Sequence, residues 1–303
     1  MLSDENRGAE MEIRVLEYFL AVAREESVTG AAAALHLTQP TLSRQLRELE
    51  EELGKQLFIR GRRITLTEDG ILLRRRAEEI LDLVQKTEKD VMENVPAVSG
   101  DIYIGAAETP GMRLILKLAA KMQTEYPGVR FHVSSGDRED LLDRLGKGLD
   151  DFSLFMGDID MSRCDSLRLP AADRWGILMR RDDPLARLSE ISPASLEGRP
   201  LILSRQCGNY PQLFSWLGRP REALQIPATY NLAYNASLMA EENMGLVLTL
   251  EGLINASGDS PLVFRPLSPT LVLGMSVVWK KYPVFAPASA KFLEYLREEF
   301  PEG

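Results

Sequence analysis

Histidine and cysteine are scarce in this chain: its 303 residues include only His36, His132, Cys164 and Cys207. So few imidazoles and thiols, in no metal or redox spacing, speak against a ligand-clustered metal centre and a disulfide framework, so the two thiols are expected to be reduced and partly buried. No apolar run approaches the roughly 18 residues that a bilayer span needs. The first residues, Met1 to Glu10, are polar and mainly acidic, without the basic start and apolar middle of a secretion signal. The expectation is a cytoplasmic chain with no membrane association. Also missing are a Gly-x-Ser-x-Gly elbow, a His-Glu-x-x-His pair and a phosphate-cradling glycine loop, so neither enzyme chemistry nor a cofactor is expected. An excess of positive charge is lacking too. With a net charge of -9 and a pI near 5.0, the chain cannot coat nucleic acid non-specifically, because such binding is driven by many phosphate neutralisations.

What is present is local. The first 95 residues carry 14 basic and 19 acidic side chains, yet Arg44, Arg47, Lys55, Arg60, Arg62 and Arg63 crowd into one short stretch. Over residues 11–24, Leu16, Phe19, Leu20 and Ala23 recur at helical spacing and define one buried face. Ser27 or Thr29 is placed to cap a short alanine-rich second helix whose small side chains allow close approach. Thr38 is placed to cap a third helix, with Pro40 tolerated in its first turn, where the missing N–H is no loss. There Leu42, Leu46, Leu49 and Leu53 form the inner stripe, which turns Gln39, Ser43, Arg44 and Arg47 outward. Gly54 ends that helix, and residues 57–66 read as two short strands around a tight basic turn, a wing. Arg47, among Glu48, Glu50, Glu51 and Glu52, is expected to sit in a surface ion pair. Thr67 caps a long helix to about residue 94, in which Leu73, Ala77, Ile80, Val84, Thr87 and Val91 are spaced like a coiled-coil seam. The composition of residues 94–100 reads as a hinge.

Beyond it, strands at residues 102–104, 129–133 and 152–156 alternate with helical patterns at 112–126 and 139–146. The alternation resumes with strands at 175–179, 201–203, 226–230 and 246–249. Such alternation implies parallel sheets with crossover helices, hence two α/β lobes. A late strand at 272–279 and a final helix with Phe292, Leu293 and Leu296 are expected to return to the first lobe.

The stretch from Leu16 to Gly70 resembles the DNA-binding domain of LysR-type transcriptional regulators. The resemblance runs through Phe19-Leu20-Ala21-Val22-Ala23, Ala32-Ala33, Gln39-Pro40-Thr41-Leu42-Ser43-Arg44-Gln45-Leu46, Leu53-Gly54, Leu57-Phe58 and Leu66-Thr67. It implies an N-terminal all-α winged helix-turn-helix over 11–67 and a dimerising linker helix over 68–95. Behind them it implies an α/β effector domain of periplasmic-binding-protein type, with one lobe formed by 100–170 plus 268–303 and the other by 171–267. Contact with double-stranded promoter or operator DNA then falls to Thr29, Gln39, Pro40, Ser43 and Arg44, and to Arg62 and Arg63 on the wing. A small-molecule effector of unidentified chemistry would sit between the lobes near the strand ends, touching Thr109, Ser135, Gly136, Ser204, Arg205 and Asn235. Arg205 suits an anionic ligand, whereas Glu108 beside the first loop would repel one and favour an amine or polyol. The family architecture also implies a homodimer or homotetramer and contact with RNA polymerase. Three rivals stand against it: an enzyme, which lacks its residues; an envelope solute-binding protein, which the DNA-binding front contradicts; and a ligand-free nucleoid protein.

Overall fold

The computed structural model describes residues 11–59, 61, 63–92, 98–157, 162 and 164–301, which form two units that meet in sequence at residues 92 and 93. Arg60, Arg62 and residues 94–97 of the expected hinge lie outside the described residues.

The first unit is a small helical domain with a two-stranded wing. Helix α1 (Ile13–Glu25) buries Leu16, Phe19 and Val22. Helix α2 (Val28–Ala34) starts at Ser27, whose hydroxyl accepts from the Gly30 amide at 3.2 Å, so Ser27 and not Thr29 is the cap. Helix α3 (Gln39–Leu53) starts at Thr38, whose hydroxyl accepts from the Thr41 amide, and ends at Gly54. With φ at 62°, Gly54 occupies the left-handed region that costs a side-chain-bearing residue energy. Strands β1 (Phe58–Ile59) and β2 (Thr65–Leu66) pair antiparallel as the wing. The Glu50 carboxylate accepts from the amides of Leu57 and Phe58 at 2.8 and 3.2 Å, which ties the second half of α3 to the wing. Among the glutamates near Arg47, then, Glu50 is a structural brace. Helix α4 (Glu68–Met92) starts where the Thr67 hydroxyl accepts from the Gly70 amide at 3.0 Å.

One core unites these elements, with Leu42, Leu46 and Leu49 packed beside Phe19 and Phe58, whose rings lie 5.2 Å apart. Ala77 is fully buried in it, and Leu73 and Leu81 pack against it. The first half of the coiled-coil-like seam is therefore used within the chain's own winged domain. Ile71, Leu72, Ile80 and Leu83 remain exposed on α4, and the Val91 side chain lies outside the description.

The second unit begins with β3 (Gly100–Ala106), α5 (Met112–Glu125), β4 (Val129–Ser135), α6 (Arg138–Lys147) and β5 (Phe152–Met156). A 17-residue strand, β6 (Cys164–Arg180), follows. Next come β7 (Leu201–Ser204), α7 (Pro211–Leu217), β8 (Thr229–Tyr230), α8 (Ala233–Glu241), β9 (Leu246–Leu250) and β10 (Leu262–Pro266). The chain closes with β11 (Val272–Lys280) and α9 (Pro287–Glu299). The strands run in the order β4-β3-β5-β11-β6-β9-β7-β8, with β10 also on β6. Strand β3 is parallel to β4 and β5, and β7 is parallel to β8 and β9, as crossover helices require.

Strand β6 joins the two halves. From Cys164 to Arg174 it pairs with β11, and from Trp175 onward with β9 and β10. At the handover the Trp175 amide donates to the Leu271 carbonyl at 2.9 Å and its carbonyl accepts from the Leu267 amide at 3.0 Å. Arg174 meanwhile makes a two-pronged bond to Glu251, at 2.9 Å on each arm. Helix α9 buries Phe292 and Leu296 in the core that holds Ile102, Phe152 and Trp279. The expected strand at 226–230 shortens to Thr229–Tyr230, and β10 was not anticipated.

Gly70 is the tightest joint of the winged domain: a Cβ there would stand 2.2 Å from the Leu57 carbonyl oxygen, a backbone atom that cannot swing aside. Gly70→Ala should therefore destabilise the winged domain by about 2 kcal/mol, an overpacking cost that outweighs the helix-propensity gain. Hydrogen exchange of α1 and α3 amides measures this. The three tryptophans, Trp175, Trp216 and Trp279, lie in the second unit, so the fluorescence-detected denaturant transition should stay where it is. Unchanged protection in α1 and α3 would contradict the close approach.

Candidate functional site

Two sets of residues carry chemistry, one in each unit. On α3 the leucine stripe faces inward, so the other side of its first two turns faces solvent. Gln39, Pro40 and Arg44 are exposed there, and Ser43 is half-buried. The Gln39 side-chain amide donates to the Ser43 hydroxyl at 2.9 Å, which orders two polar groups one turn apart before any partner arrives. Arg44, not Arg47, reaches a glutamate: its Nε lies 3.7 Å from Glu48 in an exposed pair. At that exposure the pair contributes little stability, so the guanidinium is released at small cost. Among the described residues no ion pair is recorded for Arg47, which corrects its expected role as a local ion-pair partner. Arg63 on the wing is exposed and lies 3.3 Å from Glu26 at the C-terminus of α1. Thr29 is exposed in the first turn of α2. Elsewhere in this unit acidic side chains outnumber basic ones, and the Arg74-Arg75-Arg76 run on α4 is paired with Glu78 and Glu79.

The second set lines a cleft within the second unit. The loops after β3, β7 and β8 converge on it beside Met156 at the end of β5, bringing together Glu108, Ser204, Gln206, Tyr210 and Asn231. Trp175, Tyr230 and Thr249 complete its walls. Its empty space, open mouth included, is about 410 Å³. That is a narrow site for a small ligand.

The sequence-expected contacts divide sharply. Ser204 lines the cleft, although its hydroxyl also accepts from the Gln206 amide at 3.2 Å. Thr109 is buried, and its hydroxyl is held by Asp173 on β6 while accepting from the Gly111 amide at 2.9 Å. Burial pushes the Asp173 carboxyl above its ordinary range, and the bonds from Thr109 and Gly111 pull it partly back. Thr109 is thus engaged within the fold. Ser135, Gly136, Arg205 and Asn235 are not among the lining residues. Arg205 is exposed at the start of a 3-10 turn, and Asn235 is exposed inside α8, two residues past its start. His132 faces outward on β4 and bonds the buried Asp101 at 3.0 Å while stacking on Tyr103.

Trp175, Tyr230 and Thr249 escaped sequence reasoning because each sits in or beside an apolar run that reads as core, and Tyr210 because it lies between Gly208-Asn209 and Pro211-Gln212, which read as a turn. A tryptophan or tyrosine in such a run does carry a signal, since its polar tip needs a partner. Tyr210 packs edge-on against Trp175 with ring centroids 5.8 Å apart. The Tyr230 hydroxyl donates to the Leu248 carbonyl at 2.9 Å, and burial pushes its phenol well above the ordinary range. Among the described residues no cluster of three metal-type ligands occurs, and no helix is long and apolar enough to cross a membrane.

Two family models match the chain, one over each unit. Residues 13–71 match the bacterial regulatory helix-turn-helix protein, lysR family, and residues 97–301 match the LysR substrate binding domain. Together they show that the chain belongs to the LysR family of transcriptional regulators. It is a DNA-binding regulator, not an enzyme, whose activity responds to an effector held in the C-terminal domain. Among its relatives, the activator CmpR of Synechocystis sp. is 25% identical over 287 residues, covering 92% of this chain and 93% of that protein. The regulator BsdA of Bacillus subtilis is 36% identical over 137 residues, 45% of this chain and 47% of its own length. The crystal structure of CbnR, a LysR family regulator, superposes with a TM-score of 0.77 at 20% identity, covering 96% of this chain and 100% of that one. Full-length CbnR complexed with its target DNA gives 0.76 at 21%, covering 95% and 99%. These likenesses establish the winged helical front and the α/β effector fold.

Cys207 lies at the edge of this region, fully buried, and burial pushes its thiol up to about 12. The thiolate is the reactive form, so Cys207 is held inert at neutral pH. With excess iodoacetamide at pH 8, the native chain should be alkylated at half-buried Cys164 well before Cys207, and Cys207 should react only on unfolding. Mass spectrometry of the labelled peptides tests this; prompt labelling of Cys207 in the native chain would contradict it.

Proposed function

We propose that α3 is the recognition helix and enters the major groove with its N-terminal half. Gln39, Ser43 and Arg44 then read base edges and phosphates, Thr29 and Pro40 abut the backbone, and Arg62 and Arg63 of the wing reach the flanking strand. The observation that carries this is the outward trio on α3: an ordered Gln39–Ser43 pair beside an arginine bound only by a weak, exposed contact to Glu48. Arginine is suited to fork onto a guanine edge. Since the whole chain is acidic, a single small basic face gives weak binding, and two faces on paired chains give usable affinity. We therefore read the chain as a cytoplasmic homodimer or homotetramer on promoter DNA, paired through the apolar residues Ile80 and Leu83 left exposed on α4, and acting on RNA polymerase. The cleft around Ser204 is read as the effector site.

Arg44→Ala should abolish the footprint on the promoter region of the regulator's own gene while leaving the fold intact by circular dichroism. Arg47→Ala should weaken all sequences alike and lower the salt slope of binding by about one unit. An unchanged footprint with Arg44→Ala would place the recognition surface elsewhere.

A further inference from the structure

The lining of the cleft contains one formal charge, and it is negative. Glu108, in the loop after β3, reaches across the cleft: its Oε2 accepts from the amide of Ala233, the first residue of α8, at 2.6 Å. Among the described residues no hydrogen bond or ion pair is recorded for its other oxygen, Oε1. Arg205 is exposed and outside the lining. Arg138 is also outside it, bonded to the Met156 carbonyl at 3.0 Å and to the Tyr210 hydroxyl. Three rings line the same cleft, Trp175, Tyr210 and Tyr230, each buried.

A second observation points to a ligand. The indole Nε1–H of Trp175 is buried, with the residue only 3% exposed, and has no acceptor. An indole N–H can only donate, so no rearrangement of its own hydrogen satisfies it. Thr249 Oγ1, also on the wall, makes no well-formed hydrogen bond, although the Tyr230 hydroxyl lies within its influence. Buried donors left unpaired are costly, and a binding site is where such cost is recovered when the ligand arrives.

Resting on the reading of this cleft as the effector site, we propose that the effector is a small organic cation: an ammonium group that also carries a hydroxyl or carbonyl oxygen. The ammonium pairs with Glu108 Oε1 between the aromatic rings, which attract a cation through their faces. The oxygen accepts from Trp175 Nε1. A simple carboxylate is disfavoured in the same place, because it would meet Glu108 inside a narrow, poorly solvated space. The α8 N-terminus, where an anion would otherwise dock, is already taken by Glu108 Oε2. Glu108 also bridges the loop after β3 to α8, so a cation drawn to its free oxygen acts on both of these walls at once.

The test uses the full-length chain, isothermal titration calorimetry and thermal melting, with ethanolamine, choline, tetramethylammonium, glycerol and succinate as probes. The expected result is binding and a raised Tm with ethanolamine or choline and none with succinate. Glu108→Gln should weaken those cations by about tenfold or more. Trp175→Phe, which keeps a ring but removes the N–H, should weaken choline more than tetramethylammonium, which has no oxygen to accept the bond. Should Glu108→Gln fold poorly, the choline-to-tetramethylammonium ratio in Trp175→Phe carries the test alone. Binding of succinate, made stronger by Glu108→Gln, would overturn the proposal and show Glu108 to be an internal substitute for an anionic effector. Binding of glycerol alone, or of no probe, would equally overturn the cationic class. Only the absence of any shift across a broad metabolite panel of all charge types would count against the effector-site reading itself.

Discussion

The backbone of Trp175 is held from both sides, its amide by the Leu271 carbonyl and its carbonyl by the Leu267 amide, and the second unit depends on that pair of bonds. Here β6 stops pairing with β11 and starts pairing with β9 and β10, so one continuous strand belongs to two halves. A continuous strand resists stretching but tolerates bending and twisting, which leaves relative rotation as the cheap motion between halves. The cleft opens beside this joint. Its walls come from loops on both sides, and the Trp175 side chain is itself part of the lining. Whatever fills the cleft therefore acts on the residues at which the halves are joined, the condition for a small ligand to bias one arrangement over another.

The same economy governs the DNA-facing unit. Its polar residues divide into those that hold the fold and those left for a partner. Ser27, Thr38 and Thr67 bond helix amides, and Glu50 bonds the wing. Gln39, Ser43, Arg44 and Arg47 have no such structural duty, and each lies on α3 away from the leucine stripe. A net charge of -9 then discourages indiscriminate binding to nucleic acid.

Much of the front domain was legible because its signals act within a few residues. Thr38 with Pro40, the Leu42-Leu46-Leu49 stripe and Gly54 each state a local geometry that tertiary contacts then reinforce. Strand β6 was half legible: its end from Trp175 is apolar, but Asp165, Arg168, Pro170 and Asp173 break the pattern before it. Pro170 is accommodated where the β6–β11 register shifts, opposite Met275, a place set by a partner a hundred positions away. Strand β10 hid for a similar reason, since Arg265 and Pro266 do not read as strand until β6 lies beside them. In the cleft, Ser204 and Glu108 were found as polar residues at strand ends. Thr109 and Arg205 shared that position, yet one is held by Asp173 and the other turns outward, distinctions that depend on packing and not on position in the chain.

If the cleft holds the effector, the cleft and the DNA-binding face report to one another. Linkage makes that claim quantitative: the factor by which a ligand changes DNA affinity must equal the factor by which DNA changes ligand affinity. The direct measurement pairs DNA titration by fluorescence anisotropy, with and without a saturating stabilising ligand, against calorimetric ligand titration with and without operator DNA. Equal factors different from one, on the order of 5- to 150-fold, are the predicted result. A factor of one in both directions, with ligand demonstrably bound in the cleft, would contradict it.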